Sequence, residues 1–208
     1  QCTPATNTAK VEFATDANGS PIPPVQSSET VTITEAPRIG VAKNLTSIVN
    51  NLNGTYTVTL LLTLENFGNV PLSSLTLFDN IPTQFAGATP ITAYAATNGT
   101  LVANTGWDGT ASSNILAVGQ SLAVGATGTV SISFIITPPG LTTYNNNATV
   151  SGTSPIDAIV TDVSTDGLDP DGTNNDNSPN ESVPTPVQVP GADLYVSKTD
   201  GSFTYTPG

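Results

Sequence analysis

The chain has no histidine, no methionine and one cysteine among 208 residues. Without imidazole there is no Ser-His-Asp triad, no His general base and no His-ligated zinc. Cys2 alone closes neither an intrachain disulfide nor a thiolate metal site. It reads as an exposed free thiol, with pairing to another chain as the alternative. Lys and Arg together number 4 against 16 acidic residues, for a formal net charge of −12. Nucleic acid is a poor partner for such a chain, because neutralising phosphates requires clustered cations. The same deficit argues against docking on anionic lipid. No apolar run is long enough to cross a bilayer, so no membrane insertion is expected in this segment. Runs rich in Leu, Ala, Glu and Lys that would mark helices are also missing.

What remains is a chain of Thr, Ser, Asn, Gly and aliphatic residues in alternation. In residues 54–65, Tyr56, Val58, Leu60, Leu62 and Leu64 share one face, and Thr55, Thr57, Thr59, Thr63 and Glu65 share the other. That is the period of a half-buried antiparallel strand. Val130, Ile132, Phe134 and Ile136 repeat it until Pro138-Pro139-Gly140 ends the run. Leu75 and Leu77 open another strand, and shorter candidates lie at 91–97, 100–103, 121–124, 148–152 and 158–162. Strands separated by Gly, Pro and Asn turns predict an all-β, antiparallel immunoglobulin-like β-sandwich.

The sequence also rhymes with itself. Gly54-Thr55-Tyr56-Thr57-Val58-Thr59 returns as Gly201-Ser202-Phe203-Thr204-Tyr205-Thr206, and Asn7-Thr8-Ala9-Lys10-Val11 echoes Asn146-Asn147-Ala148-Thr149-Val150. An offset of roughly 150 residues is too long for a solenoid and describes a tandem-repeat array of domains. The expected organisation is a complete sandwich over 38–190. Residues 1–37 then supply the closing strands of a preceding repeat or an N-terminal donor arm. Residues 191–208 supply the opening strands of the next repeat or a C-terminal arm. Pro37 and the run Pro184 to Pro190 read as extended, semi-rigid joints.

Several stretches carry a family likeness. Asn53 to Thr59 opens the first long strand. Glu65-Asn66-Phe67-Gly68-Asn69-Val70-Pro71-Leu72 forms a turn motif, and Leu75-Thr76-Leu77-Phe78-Asp79 follows it. Leu122-Ala123-Val124-Gly125-Ala126, Asn147-Ala148-Thr149-Val150 and Asp193 to Thr199 come after them in order. In these features the chain resembles the DUF11 family, the repeat domain of large bacterial and archaeal surface proteins. The resemblance implies an immunoglobulin-like element of adhesins, stalks or extracellular fibres, secreted or on the cell surface, with no catalytic residues to carry over.

Four features are candidates for chemistry. The acidic loop 157–181 offers Asp166, Asp169, Asp171 and Asp176 as a candidate calcium site, since calcium takes six to eight hard oxygens. The EF-hand spacing is not met, and a solvated, self-repelling acidic loop is the alternative. No other cofactor is implied. Lys43, with Asn147 near a late strand and Asp79 between them, matches the layout of a Lys–Asn crosslink assisted by a carboxylate. A snorkelling Lys43 at the domain joint is the ordinary and preferred reading. Trp107, in a Gly-flanked loop, reads as a cover for one end of the sandwich, a ligand platform being the alternative. Asn18, Asn44, Asn53, Asn98, Asn147 and Asn180 begin N-x-S/T triplets of the kind that arise by chance in a Thr-rich chain. Paired-carboxylate hydrolysis lacks positioned partners, so no enzyme is expected. The leading expectation is a non-catalytic rod, spacer or fibre subunit whose partners are neighbouring copies, assembled as one long array or head-to-tail by strand complementation. The rival is an adhesin-type module binding a surface or glycan through loops 87–125 around Tyr94 and Trp107.

Overall fold

The computed structural model describes residues 5–31, 34–172 and 174–190. Cys2 and the expected restart over 191–208 lie outside the described residues. Two layers of strands, antiparallel apart from one two-residue edge pair, enclose one apolar core, as in an immunoglobulin-like sandwich. The larger layer holds β3 (Ile39–Asn50), β4 (Tyr56–Asn66), β6 (Thr92–Asn98), β7 (Thr127–Ile136) and the two-residue β11 (Thr165–Asp166). Their order is β11-β3-β4-β7-β6. Facing it are β5 (Ser73–Phe78), β9 (Thr149–Thr153) and β10 (Ile159–Val163), in the order β10-β9-β5. The pair of β8 (Thr142–Asn146) and β12 (Thr185–Val189) completes that side.

Alternation sets the register. Val58, Leu60, Leu62 and Leu64 of β4 are fully buried, and Val130, Ile132, Phe134 and Ile136 of β7 lie beside them in the core. Burying one such side chain contributes about 1.5–3 kcal/mol, against roughly 1 kcal/mol net for a ladder hydrogen bond. A one-residue slip would turn the whole set to solvent, so side-chain burial decides which register forms.

Three expectations change. Residues 184–190 are no joint: Thr185, Val187 and Val189 alternate into the core as β12, paired with β8 from Thr185↔Asn146 to Val189↔Thr142. Pro186 is tolerated there because this strand pairs on one side only, where a missing N–H is accommodated. The candidate strands at 100–103 and 121–124 are reduced to single bridges, Ala103↔Leu116 and Leu72↔Leu122. Irregular backbone carries Leu101, Leu116 and Leu122 to the core there. Asn114 holds it in shape, its Oδ1 accepting from Leu77 N at 2.9 Å and Leu116 N at 3.0 Å.

Ahead of the sandwich, β1 (Ala5–Val11) and β2 (Val25–Val31) form a hairpin in register from Ala5↔Val31 to Val11↔Val25. Its side chains from Thr6 to Thr30 are exposed apart from the half-buried Ala14. A lone two-stranded hairpin has marginal stability in water.

The outer edge of β3 is covered by other means than a full strand. Val41 N donates to Asp162 Oδ2 at 2.8 Å, and the Lys43 carbonyl accepts from Gly167 N at 2.9 Å and Thr185 Oγ1 at 2.8 Å. Covering an edge in this way removes a template for unwanted pairing. Desolvation pushes the Asp162 carboxyl up to about 6, with Glu181 adding repulsion and the Val41 and Val163 amides opposing. The folded state therefore holds this proton more tightly than the unfolded chain, whose reference value is 3.8. The stability it contributes is present below that value and is lost as pH rises through about 6. Asp162→Asn keeps an acceptor for Val41 and removes the charge. Denaturant melts should show wild-type stability falling relative to Asp162→Asn across this interval, whereas parallel pH profiles would refute the assignment.

Candidate functional site: a buried lysine, carboxylate and amide

Lys43 occupies a position where the pattern of β3 calls for an apolar residue. Ile39, Val41, Lys43 and Leu45 share the inward parity, and Lys43 is 0% exposed. The same parity on β5 runs Leu75, Leu77 and then Asp79, just past the strand end, where it is 1% exposed. On β8 it runs through Tyr144 to Asn146, 0% exposed, with Ala148 continuing it. Two strands and the residue just past a third thus each deliver one polar group against the apolar core.

These groups meet. Lys43 Nζ donates to Asp79 Oδ2 in a short ion pair and to Asn146 Oδ1 at 2.5 Å. Asn146 Nδ2 donates to the other carboxylate oxygen, Asp79 Oδ1, at 2.8 Å and to Gln84 Oε1 at 3.0 Å. Gln84 ends the one-turn helix α1 (Ile81–Gln84). Its Nε2 reaches Asp79 Oδ1 at 3.2 Å and the Asn147 carbonyl at 2.9 Å, while its Oε1 also accepts from the Asn147 amide. Each oxygen of the Asp79 carboxylate faces a different nitrogen, the lysine's on one side and the asparagine's on the other.

Burial drives both charged groups toward neutrality. Desolvation lowers the Lys43 ammonium, against the attraction and hydrogen bond of Asp79. It raises the Asp79 carboxyl, against Lys43 and the hydrogen bond from Asn146. In a low-dielectric site, moving one proton from Nζ to the carboxylate removes two desolvated charges at once.

Two readings of the sequence are corrected here. Lys43 does not snorkel; its whole side chain lies inside the sandwich. The amide beside it belongs to Asn146, and Asn147 has the wrong parity, its backbone engaged by Gln84. Within Asn145-Asn146-Asn147, counting in twos from Tyr144 would have selected Asn146.

The acidic loop is organised differently. Asp169 Oδ1 accepts from Asp171 N at 3.0 Å, Asp171 Oδ2 from Asn177 N at 2.7 Å and Asp176 Oδ1 from Ser178 N at 2.8 Å. Asp166 pairs across to Lys43 in the β11–β3 bridge. Among the described residues, no three His, Cys, Asp or Glu side chains converge as a metal site. Trp107 is 3% exposed, packed edge-on against Tyr94 at 5.8 Å between ring centroids, and Tyr94 in turn lies over Gly109. It covers the core and presents no platform.

The turn 66–71 has a role that its motif alone does not reveal. Asn66 is buried, donating to the carbonyls of Val70, Leu122 and Ala123 and accepting from Gly68 N at 2.9 Å. A Cβ on Gly68 would lie 2.7 Å from Arg38 N and 2.9 Å from Ala36 O. Asn69 accepts from Ala36 N at 2.7 Å and donates to Thr34 O at 2.9 Å. The motif clamps the incoming chain onto the sandwich.

No family model matches the chain, and no curated protein does. Solved structures match in fold alone. The N-terminal domain of PorA aligns at 11% identity and TM-score 0.30, covering 62% of this chain and 97% of that one. The major pilin subunit BcpA of Bacillus cereus aligns at 11% identity and TM-score 0.31, covering 78% and 63%. The CFA/I adhesin CfaE of enterotoxigenic E. coli aligns at 11% identity and TM-score 0.34, covering 71% and 53%.

Because Asp169, Asp171 and Asp176 each already accept from a backbone amide, melting in calcium and in chelator should give the same midpoint. A rise in midpoint with calcium would show that the loop recruits a cation.

Proposed function

We propose that the sandwich is a non-catalytic, load-bearing module of an extracellular rod, stalk or fibre. The observation that carries this reading is where the chain enters and leaves the sandwich. Ile39 pairs with Asn66 at one end of the β3–β4 ladder, and Asn50 pairs with Tyr56 at the other. The outgoing chain reaches the second end, where Tyr56 Oη donates to the Pro190 carbonyl at 3.2 Å. A strand of 12 residues spans about 40 Å, so the chain enters at one pole and leaves at the opposite one. Modules joined this way string out along their long axis. Tension at the poles draws β3 and β12 along their own lengths and loads the ladders to β4 and β8 as a whole.

The joint supports the same reading. Asn69 holds Thr34 and Ala36, and Arg38 Nη1 donates to the Asn177 carbonyl at 2.9 Å, which fixes the angle at which the preceding chain arrives. A Pro after a clamped segment favours a stiff connection over a floppy one. Of the two assembly routes, the long array is favoured over strand complementation, because β12 of the same chain already fills the core with Val187 and Val189. The burial of Trp107 favours the structural role over a binding module built on that residue.

Electron microscopy of the native material should show unbranched rods or fibres with an axial rise of about 40 Å per module. Isolated compact particles would overturn the reading. Asn69→Ala should leave the sandwich folded, with a loss within the usual range of about 0.5–3 kcal/mol, while shortening the persistence length of the rods. Unchanged rod stiffness would remove the clamp from the account.

A further inference from the structure

Lys43, Asp79 and Asn146 are arranged for more than an ion pair. An ammonium buried in this way serves structure poorly. Replacing a buried ion pair by well-packed apolar residues is often neutral or stabilising, and the other inward positions of β3 are apolar. The arrangement matches what an acyl transfer requires: a nucleophile, an acyl carbon, a proton carrier touching both nitrogens, and exclusion of water.

We propose that Lys43 and Asn146 become joined by an intramolecular amide bond, formed by the folded chain itself with Asp79 as the catalytic residue. Transfer of one proton from Nζ to Asp79 leaves a neutral amine and a neutral acid. The Nζ lone pair attacks Cγ of Asn146, one bond behind the oxygen now 2.5 Å away, and the carbonyl π pair moves onto Oδ1. Asp79 protonates Nδ2, the nitrogen already 2.8 Å from its Oδ1, and recovers a proton from Nζ through Oδ2. Collapse of the tetrahedral centre breaks Cγ–Nδ2 and expels ammonia. The sum is an amine and a primary amide giving a secondary amide and ammonia, with Asp79 returned as an acid and no oxidant or cofactor consumed.

Several features support the step. Desolvation favours the neutral amine, the form that is nucleophilic, and the protonated carboxyl, the form that can donate. Gln84 is a positioning residue: its Oε1 accepts from Nδ2, holding the amide plane with its oxygen toward Lys43. Holding the two reacting groups in contact replaces a bimolecular aminolysis by an intramolecular one, and effective molarities for such arrangements reach about 10⁵–10⁸ M. The Lys43 backbone is itself pinned by Gly167 and Thr185, so the nucleophile has little room to drift.

The bond would tie β3, the first strand of the sandwich, to β8, the partner of the last. Its ends are 103 residues apart in sequence. A chain of that length extends to roughly 350 Å at 3.3–3.6 Å per residue, and the crosslink would withhold all of it from extension under load. The proposal concerns one chain and stands or falls independently of the rod reading.

The test is the intact mass of the purified full chain under denaturing conditions. The expected result is a mass one ammonia below the sequence value, with a proteolytic peptide pair joined through Lys43 and Asn146. Asp79→Ala and Lys43→Arg should each show the full mass of their sequence. Asn146→Asp, in which water is the leaving group, should converge on the wild-type mass if it reacts. A wild-type chain that is folded by circular dichroism and yet carries its full sequence mass would overturn the proposal, whatever the variants do. Loss of ammonia mapped to any other pair would overturn it too. A Gln84→Ala chain should mature more slowly to the same product; an unchanged rate would remove Gln84 from the positioning role.

Discussion

Placing a lysine on the inner face of β3 constrains everything around it. A buried ammonium without a partner costs several kcal/mol, so the fold must bring a carboxylate and a carbonyl oxygen to it. Asp79 comes from the end of β5 and Asn146 from the end of β8, and Gln84 on α1 closes the remaining hydrogen bonds of both. The Lys43 carbonyl meanwhile accepts from Gly167 and Thr185. One residue thereby ties together β3, the end of β5, β8, the turn after β11, and β12. The polar cluster acts as a fixed point for the second layer, and the apolar alternation of β4 and β7 supplies the bulk of the stabilisation around it.

The mechanical reading and the chemical one meet at that residue. A module pulled from opposite poles is vulnerable where its first and last strands detach, since each is held by a single full ladder, β3 to β4 and β12 to β8. Lys43 lies on the first strand, and Asn146 pairs with Thr185, the first residue of the last strand. A bond between them would hold the two strands that tension separates. The Asn66–Asn69 turn performs a parallel service outside the core, fixing how the preceding chain meets the sandwich. The acidic surface is consistent with these roles, because like charge keeps the long sides of neighbouring modules from sticking.

Much of this was legible in the chain itself. The absence of His and the single Cys excluded imidazole-based catalysis and metal sites built on His or paired thiolates without reference to any fold. The alternation through Tyr56–Leu64 and Val130–Ile136 defined the two central strands, and the observed strands, Tyr56–Asn66 and Thr127–Ile136, extend that pattern by about three residues at most at either end. Weak patterning between Gly87 and Gly125 hid bridges that depend on Asn114 and Asn104 side chains, which periodicity does not record. The Pro-rich run 184–190 read as a joint because proline composition outweighed three inward-facing residues spaced by two.

The amino-acid order by itself determined an all-β module with a polar, acidic exterior, because side-chain parity and charge need no partner to be read. It even placed Lys43 among apolar neighbours, where its inward direction was available to counting. What lay opposite it was decided only in three dimensions. Residues separated by 36 and 103 positions in sequence came within bonding distance because two sheets packed face to face, and packing across layers leaves no local trace. The choice of Asn146 over Asn147 shows the reason plainly: adjacent residues of a strand point to opposite faces, and which face is the interior depends on what the strand packs against.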